Sequence, residues 1–378
     1  MRKLSVITMI ITVTLSAVWL NSCCKHKNIV QEDAIDLGIS EKGTKAVVED
    51  KAGLISQAIS SDIGFGVYGY KSVTGNDPLL IFDNVEVKPE SNAADPNWTY
   101  APTRYWDKNP QASYQFIAYW PHLGQTSVNG AAYATQQNKV LTIHDIPFWQ
   151  DASLAASADF MTAERRGNYS AGDFTEDQVT KVRFTFSHIL AKLVIKAYYV
   201  GVQANDVSIS GIRLTKGLPA ENKILSPTGK ADYSQPYGGA EGTAGFTGNT
   251  PSSTGNHTLY NPNDAHILSA ESFDDEVDPE DYTSDEICQW LMVPCSGWTD
   301  LGLSIDYSIG GSSTITTNVN GLTLSTTIDN QIQTGQTASG KSYIITLKFN
   351  SSGGGVDLQS VLVRNWTSQD VPTGVYNW

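Results

Sequence analysis

Basic residues and cysteines are scarce in this 378-residue chain, and each scarcity excludes something. Lysine and arginine total 25 against 39 aspartates and glutamates, for a formal net charge of −14. An acidic surface repels phosphate backbones and anionic lipid headgroups, and no basic patch interrupts it, so nucleic acid is excluded as a partner. Of the four cysteines, Cys288 and Cys295 sit at the two ends of one apolar run, 287–294. Residues that far apart along an extended strand cannot reach disulfide distance without a hairpin between them. Their spacing matches no zinc pattern either, so buried free thiols are expected.

Catalytic motifs are missing as well. The six histidines, His26, His122, His144, His188, His257 and His266, form no H-E-x-x-H and no close pair at ligand spacing. There is no G-x-S-x-G turn for a serine nucleophile. His188 lies between strand residues, the setting of a hydrogen-bonded structural histidine rather than a general base. Asp306 is a strand carboxylate without a second one to work with, as glycoside hydrolysis would require. The chain therefore reads as no enzyme, and nothing in it asks for a cofactor. Carboxylates crowd residues 271–286 and offer oxygen ligands for calcium. They lack an EF-hand spacing and a central glycine, so a solvated, self-repelling loop is the expectation.

What the chain does have is glycine, hydroxyl side chains and aromatics. Its 32 glycines, with serine and threonine crowding the second half, favour an all-β protein with many turns. Its length exceeds one ordinary core, which makes two domains the default. Residues 98–121, WTYAPTRYWDKNPQASYQFIAYWP, hold Trp98, Tyr100, Tyr105, Trp106, Tyr114, Phe116, Tyr119 and Trp120. Residues 114–119 alternate aromatic and smaller side chains, the pattern of a strand with one face against a core. Residues 107–111 supply a turn and Pro121 halts the second strand. Flat aromatic faces suit pyranose rings, so the stretch reads either as a sugar-stacking platform or as the core and rim of a β-sandwich.

Residues 1–22 read as an export signal: Arg2 and Lys3 open it, and the run from Leu4 to Leu20 is apolar. That run is barely long enough to span a bilayer. Its end, Leu20-Asn21-Ser22-Cys23, resembles a lipobox, in which the chain is cut before an acylated cysteine. Cys23 is thus the expected lipidation site, holding the chain to outer-membrane lipid. Residues 23–45 form a polar leader with one strand-like island, where Ile35, Leu37 and Ile39 share a face. An isolated apolar strand in such a leader must pair with something or stay disordered.

Three elements, in order behind that signal, resemble the fimbrillin family, the pilins of Bacteroidales type V pili. They are W-x-Y-x-P-x-x-Y-W…Y-x-F-x-A-Y-x-P over 98–121, Phe184-Thr185-Phe186-Ser187-His188-Ile189-Leu190-Ala191-Lys192-Leu193, and Gly340-Lys341-Ser342-Tyr343 followed by Val361 to Trp366. The resemblance implies two tandem transthyretin-like β-sandwich domains after the signal and leader. It also implies a T-[RK]-A site where a trypsin-like protease removes the leader. Thr44-Lys45-Ala46 matches that site, which places the cut between Lys45 and Ala46. Lys45 reads otherwise as an ordinary solvated linker residue.

The first domain is expected over 46–199. It has strands at 65–70 and 141–143, a short pair at 79–82 and 85–87, and an Ala-rich stretch at 151–162 able to form a helical turn. Over 176–197 two strands are expected, with Lys181, Arg183 and Lys196 facing out and Val182, Phe184, Phe186, Leu193 and Ile195 facing in. The second domain, 200–378, opens with a strand at 207–214 and a Gly/Ser/Thr/Pro-rich loop or hairpin at 217–257. Strands at 287–293, 301–309, 314–319, 322–328, 343–349 and 361–365 complete a β-sandwich.

Two functions fit. One is a structural pilus subunit at the cell surface that supports adhesion and polymerises with other pilin subunits by strand donation. Its candidate donor strand is Val361, Val363, Trp366, Val371, Val375, Tyr376 and Trp378, unless this tail simply completes its own sheet. The other is a non-polymerising surface lipoprotein that binds a host or bacterial glycan or protein through exposed aromatics.

Overall fold

A computed structural model describes residues 34–40, 51–152, 158–176, 179–200, 206–216, 225–250, 256–271, 284–328, 331–350 and 355–366. Their regular structure is almost entirely strand, with one α-helix, Lys51–Ser61. The strand Ala112–Trp120 organises the N-terminal part. It pairs antiparallel with Phe65–Val73 on one side and Met161–Asn168 on the other. Leu79–Pro89 and Trp98–Thr99 extend this sheet at one edge and Ser187–His188 at the other.

Strand alternation sends Tyr114, Phe116, Ala118 and Trp120 into a first core with Phe65, Val67, Phe82, Trp98, Phe184 and Phe186. Ile117 and Tyr119 point the other way, into a second core shared with Tyr68, Leu141 and Ile143. Both faces are therefore buried, where the sequence pattern predicts only one. A second sheet covers the far face: Gly245–Thr247, Lys230–Pro236, Val140–Pro147 and Tyr133–Gln137, in that order. Tyr68 Oη ties the two sheets by donating to the Ala134 carbonyl at 3.1 Å. Gly69 lies directly opposite Phe116, and a Cβ there would stand 2.6 Å from the ring. The missing side chain gives the ring its place on the strand.

Residues 79–87 do not form a pair of short strands. They run as one strand, Leu79–Pro89, because Asn84 takes a left-handed backbone (φ 50°) that absorbs an irregularity without reversing the chain. The helix Lys51–Ser61 packs Leu54, Ile55 and Ala58 into the first core. Of the Ala-rich stretch, residues 153–157 lie outside the described residues. Asp151 ends a short strand, and Met161 begins the long one.

A larger sandwich follows. One sheet runs Val356–Asn365, Lys341–Asn350, Ala191–Val200, Asp285–Met292, Trp149–Asp151. The other runs His257–Tyr260, Val207–Lys216, Leu301–Ile309, Ile315–Leu322. Leu193, Ile195, Ile305, Tyr307, Ile345 and Phe349 are all buried in the second core, and Tyr307 meets Phe349 edge-on at 5.1 Å. Strands on either side of residue 200 share these sheets. Ala191–Val200 lies between two strands from beyond it, and Val140–Pro147 pairs with Lys230–Pro236. Of the two forms expected at 217–257, the described part takes the hairpin: Lys230–Pro236 pairs antiparallel with Gly245–Thr247, and Leu225, Ala231, Tyr233 and Tyr237 are buried. Those spaced apolar side chains outweigh the loop-forming composition around them. In the expected strand 322–328, the chain breaks after Leu322, and Ser325–Ile328 turns back on Gln331–Thr334.

Candidate functional site

The site is a groove in the first core, filled by the leader. Leu37–Ile39 lies parallel to Val182–Phe184, with Leu37, Gly38 and Ile39 opposite Val182, Arg183 and Phe184. Among the described residues this leader strand is the sole sheet partner of Val182–Phe184. The Val182 N–H donates to the Asp36 carbonyl and the Ser40 N–H to the Phe184 carbonyl, both at 2.8 Å. Upstream, the Ile35 N–H donates to the Arg104 carbonyl at 2.8 Å, and Tyr100 Oη donates to the Ile35 carbonyl at 2.6 Å. Ile35, Leu37 and Ile39 are 1%, 0% and 2% exposed.

Burying three aliphatic side chains favours docking by roughly 5–9 kcal/mol, an upper estimate. Fixing five backbone residues costs roughly 5–10 kcal/mol. The two are of similar size, so the strand gains little from docking beyond its hydrogen bonds and its covalent connection. Its charged margin adds little. Lys181 Nζ stands 3.6 Å from the half-buried Asp36 carboxylate and Arg183 Nη1 stands 3.8 Å from the exposed Asp95. Burial raises the Asp36 carboxyl above its usual pKa, and Lys181 pulls it back. At Gly38 the groove narrows: a Cβ there would lie 2.6 Å from Arg183 Nη1 and 3.6 Å from Trp98 Cδ1.

The aromatic stretch holds no stacking platform. Trp98, Trp106, Tyr114, Phe116, Tyr119 and Trp120 are buried, Tyr100 is half-buried, and Tyr105 alone of the eight is exposed. The strand after Trp106 sends Tyr114, Phe116 and Trp120 into the first core and Tyr119 into the second. Trp106 meets Tyr114 edge-on at 4.7 Å and stacks on Tyr169 at 5.1 Å.

The candidate donor strand divides. Val361 and Val363 belong to Val356–Asn365, an edge strand paired antiparallel with Lys341–Asn350 in the chain's own sheet. Trp366 follows it, fully buried, its N–H donating to the Gly340 carbonyl at 2.9 Å. Its indole stacks on His188 at 3.9 Å with the rings 7° from parallel, and Lys192 Nζ lies 5.8 Å over its face. His188 Nδ1 in turn meets the Asp159 carboxylate at 2.8 Å, both side chains being buried. His188 is thus a packing element, as its place between strand residues predicts. Val371, Val375, Tyr376 and Trp378 lie outside the described residues, as do Cys23, Lys45 and Ala46.

The groups with catalytic potential are tied down by their neighbours. Asp306 pairs with Arg213 Nη1 at 2.9 Å and accepts from Thr316 Oγ1 at 2.7 Å, and the Thr316 bond and the Arg213 charge hold its carboxyl below the usual range. Cys288 and Cys295 form no disulfide, and Cys295 accepts from the Trp298 indole at 3.0 Å. Cys288 opens on a cavity of about 300 Å³ with Tyr260, Asp151 and Glu286. Burial, then the Asp151 and Glu286 carboxylates, push its thiol up. Of the acidic run, 272–283 lies outside the described residues; Asp285 receives His266 Nε2 at 3.0 Å.

A family model described as fimbrillin-like matches residues 44–366. No curated protein matches the chain. Among solved structures, a fimbrial protein from Bacteroides vulgatus ATCC 8482 is 16% identical, with 88% of this chain and 99% of that chain covered and a TM-score of 0.55. A protein of Bacteroides uniformis ATCC 8492, provisionally assigned to cell adhesion, is also 16% identical, covering 90% of this chain and 99% of that one at a TM-score of 0.45. The truncated tip fimbrial protein Mfa3 from Porphyromonas gingivalis is 9% identical, covering 80% and 94% at a TM-score of 0.30. At such identities the Bacteroides vulgatus likeness establishes a shared fold and nothing finer.

Proposed function

The chain belongs to the fimbrillin-like family, and from that premise we propose that it is a structural subunit of a cell-surface type V pilus. In this reading it is exported as a lipoprotein on Cys23, cut between Lys45 and Ala46, and polymerised by strand donation in support of adhesion. The observation that carries the reading is the leader strand itself. Ile35, Leu37 and Ile39 fill an apolar groove from a segment upstream of Lys45, held by one parallel pairing. Severing the tether removes the leader's advantage, because burial and ordering entropy almost balance. The vacated strand Val182–Phe184 then offers unpaired N–H and C=O groups and an apolar floor to a strand from a neighbour. With Val361, Val363 and Trp366 engaged in their own sheet, the donor role falls to residues 367–378, with Val371, Val375, Tyr376 and Trp378. The glycan-binding alternative loses its support, because seven of the eight clustered aromatics are turned inward or half-buried.

The test is an unheated denaturing gel of the surface fraction. The wild type is expected to give a high-mass ladder. A chain lacking residues 371–378 is expected to stay folded and leader-cleaved and to give none. A ladder that survives the deletion would remove the tail from the role of donor.

A further inference from the structure

We propose that the cavity beside Cys288 is a binding site for an organic cation, an alkylammonium group on a short apolar stem. This goes beyond the assembly reading above and does not depend on it.

The cavity forms where one strand stops early. Trp149–Asp151 pairs with Asp285–Met292 only as far as Trp290, opposite Asp151, so residues 285–288 run on with no sheet neighbour on that side among the described residues. Ile287 is an extra residue there, because Cys288 lies opposite Ile195 and Glu286 opposite Lys196. Such a bulge re-aims side chains, and Glu286, Ile287, Cys288 and Gln289 all reach the cavity, where strict alternation would turn every second one away. Leu259, Tyr260, Asn261 and Pro262 also line it, and the Trp290 indole anchors them by donating to the Leu259 carbonyl at 2.8 Å. The space measures about 300 Å³, far more than a bare metal ion fills.

Its polar wall is rich in acceptors. Asp151 and Glu286 both line it, and both bear on the Cys288 thiol. Gln289 is 4% exposed, and its Nε2 donates to Glu286. That bond fixes the amide's orientation, since only its nitrogen can donate to a carboxylate. Gln289 Oε1 is left buried with no donor among the described residues. A buried acceptor in that state is costly, and it points to a donor that a ligand brings. No lysine, arginine or histidine lines the cavity among the described residues, and Lys196, opposite Glu286 in the next strand, does not reach it. The segments that adjoin it in sequence, 153–157 and 272–283, hold no basic residue, and the second adds six carboxylates to a field that attracts cations. Leu259, Pro262 and Ile287 give the cavity an apolar wall, which a hydrated metal ion leaves bare and an alkyl stem covers. An ammonium has three N–H groups and no acceptor, which matches the three side chains Asp151, Glu286 and Gln289 in number and polarity. A free amine and the end of a lysine side chain in another protein both supply that chemistry.

Titration calorimetry on the full-length chain, at neutral pH and low salt, tests the site. Pentylamine should bind, and pentanol, the same stem without the charge, should bind at least ~10-fold more weakly. Glu286→Gln and Asp151→Asn keep the side-chain shape, and each should weaken pentylamine at least ~10-fold, with urea midpoints checking that both variants fold. Binding of acetyl-lysine methylamide as tight as that of pentylamine assigns the site to a lysine side chain, and its exclusion assigns the site to a free amine. Pentanol that matches pentylamine in the wild type overturns the cation site without recourse to any variant. Undiminished pentylamine binding in both folded variants removes it from this cavity. Calcium that displaces pentylamine at equal concentration replaces the organic cation with a metal, and a wild type that binds neither amine ends the proposal.

Discussion

His257 shows how one buried side chain ties this protein's stability to pH. Its ring is nearly inaccessible, packed between Trp149 at 4.3 Å and Trp290 at 4.6 Å. Burial alone lowers its pKa from 6.5 to about 4. Between those values the unfolded chain takes up a proton that the folded chain refuses, so stability falls as pH falls through that window, by up to roughly 3 kcal/mol. His257→Phe keeps a flat ring between the two indoles and should flatten that acid limb. Urea midpoints measured from pH 7 to pH 4 check this. An unchanged slope in the variant would assign the acid sensitivity to other groups.

Strand Ala112–Trp120 is the element whose loss should cost most. Its side chains feed both cores, and Phe116 meets Phe82, Trp106 and Phe174 edge-on at 5.7, 6.4 and 6.0 Å. Removing the ring leaves a cavity that neighbouring aromatics cannot close, so Phe116→Ala should lose about 3–5 kcal/mol of unfolding free energy. A chemical-denaturation loss below about 1 kcal/mol would place the side chain outside the core. The leader strand lies at the opposite extreme: three residues long, bonded to one short partner, with its apolar gain offset by its own ordering. That weakness is what the proposed strand exchange requires.

The whole molecule joins an acidic composition to a fold whose N-terminal core is completed by the strand Leu37–Ile39. As a lipoprotein the precursor would be tethered at Cys23, directly upstream of that segment. Cells fed labelled palmitate should label the wild type and lose the label in Cys23→Ala. Label that persists in Cys23→Ala and disappears in Cys24→Ala would shift the anchor by one residue.

Much of this was legible along the chain because it depends on local pattern. Alternation marked the strands at 65–70, 114–119 and 301–309, and placed Val182, Phe184, Phe186, Leu193 and Ile195 inward, where all five are buried. The isolated island at 34–39 announced that it needed a partner, and the ordered motifs carried the family resemblance. The helix Lys51–Ser61 left a short signal, Leu54, Ile55 and Ala58 on one face, too brief to stand out without the core it packs on. Composition left loop and hairpin open at 217–257; the hairpin forms, and its partner strand Val140–Pro147 lies far away in sequence. Periodicity tells which residues face apart, not what covers each face. It could not show that Tyr119 meets a second core, that Trp366 seals against His188, or that Arg183 closes over Gly38. Such contacts join segments distant along the chain, and only the folded chain sets those separations.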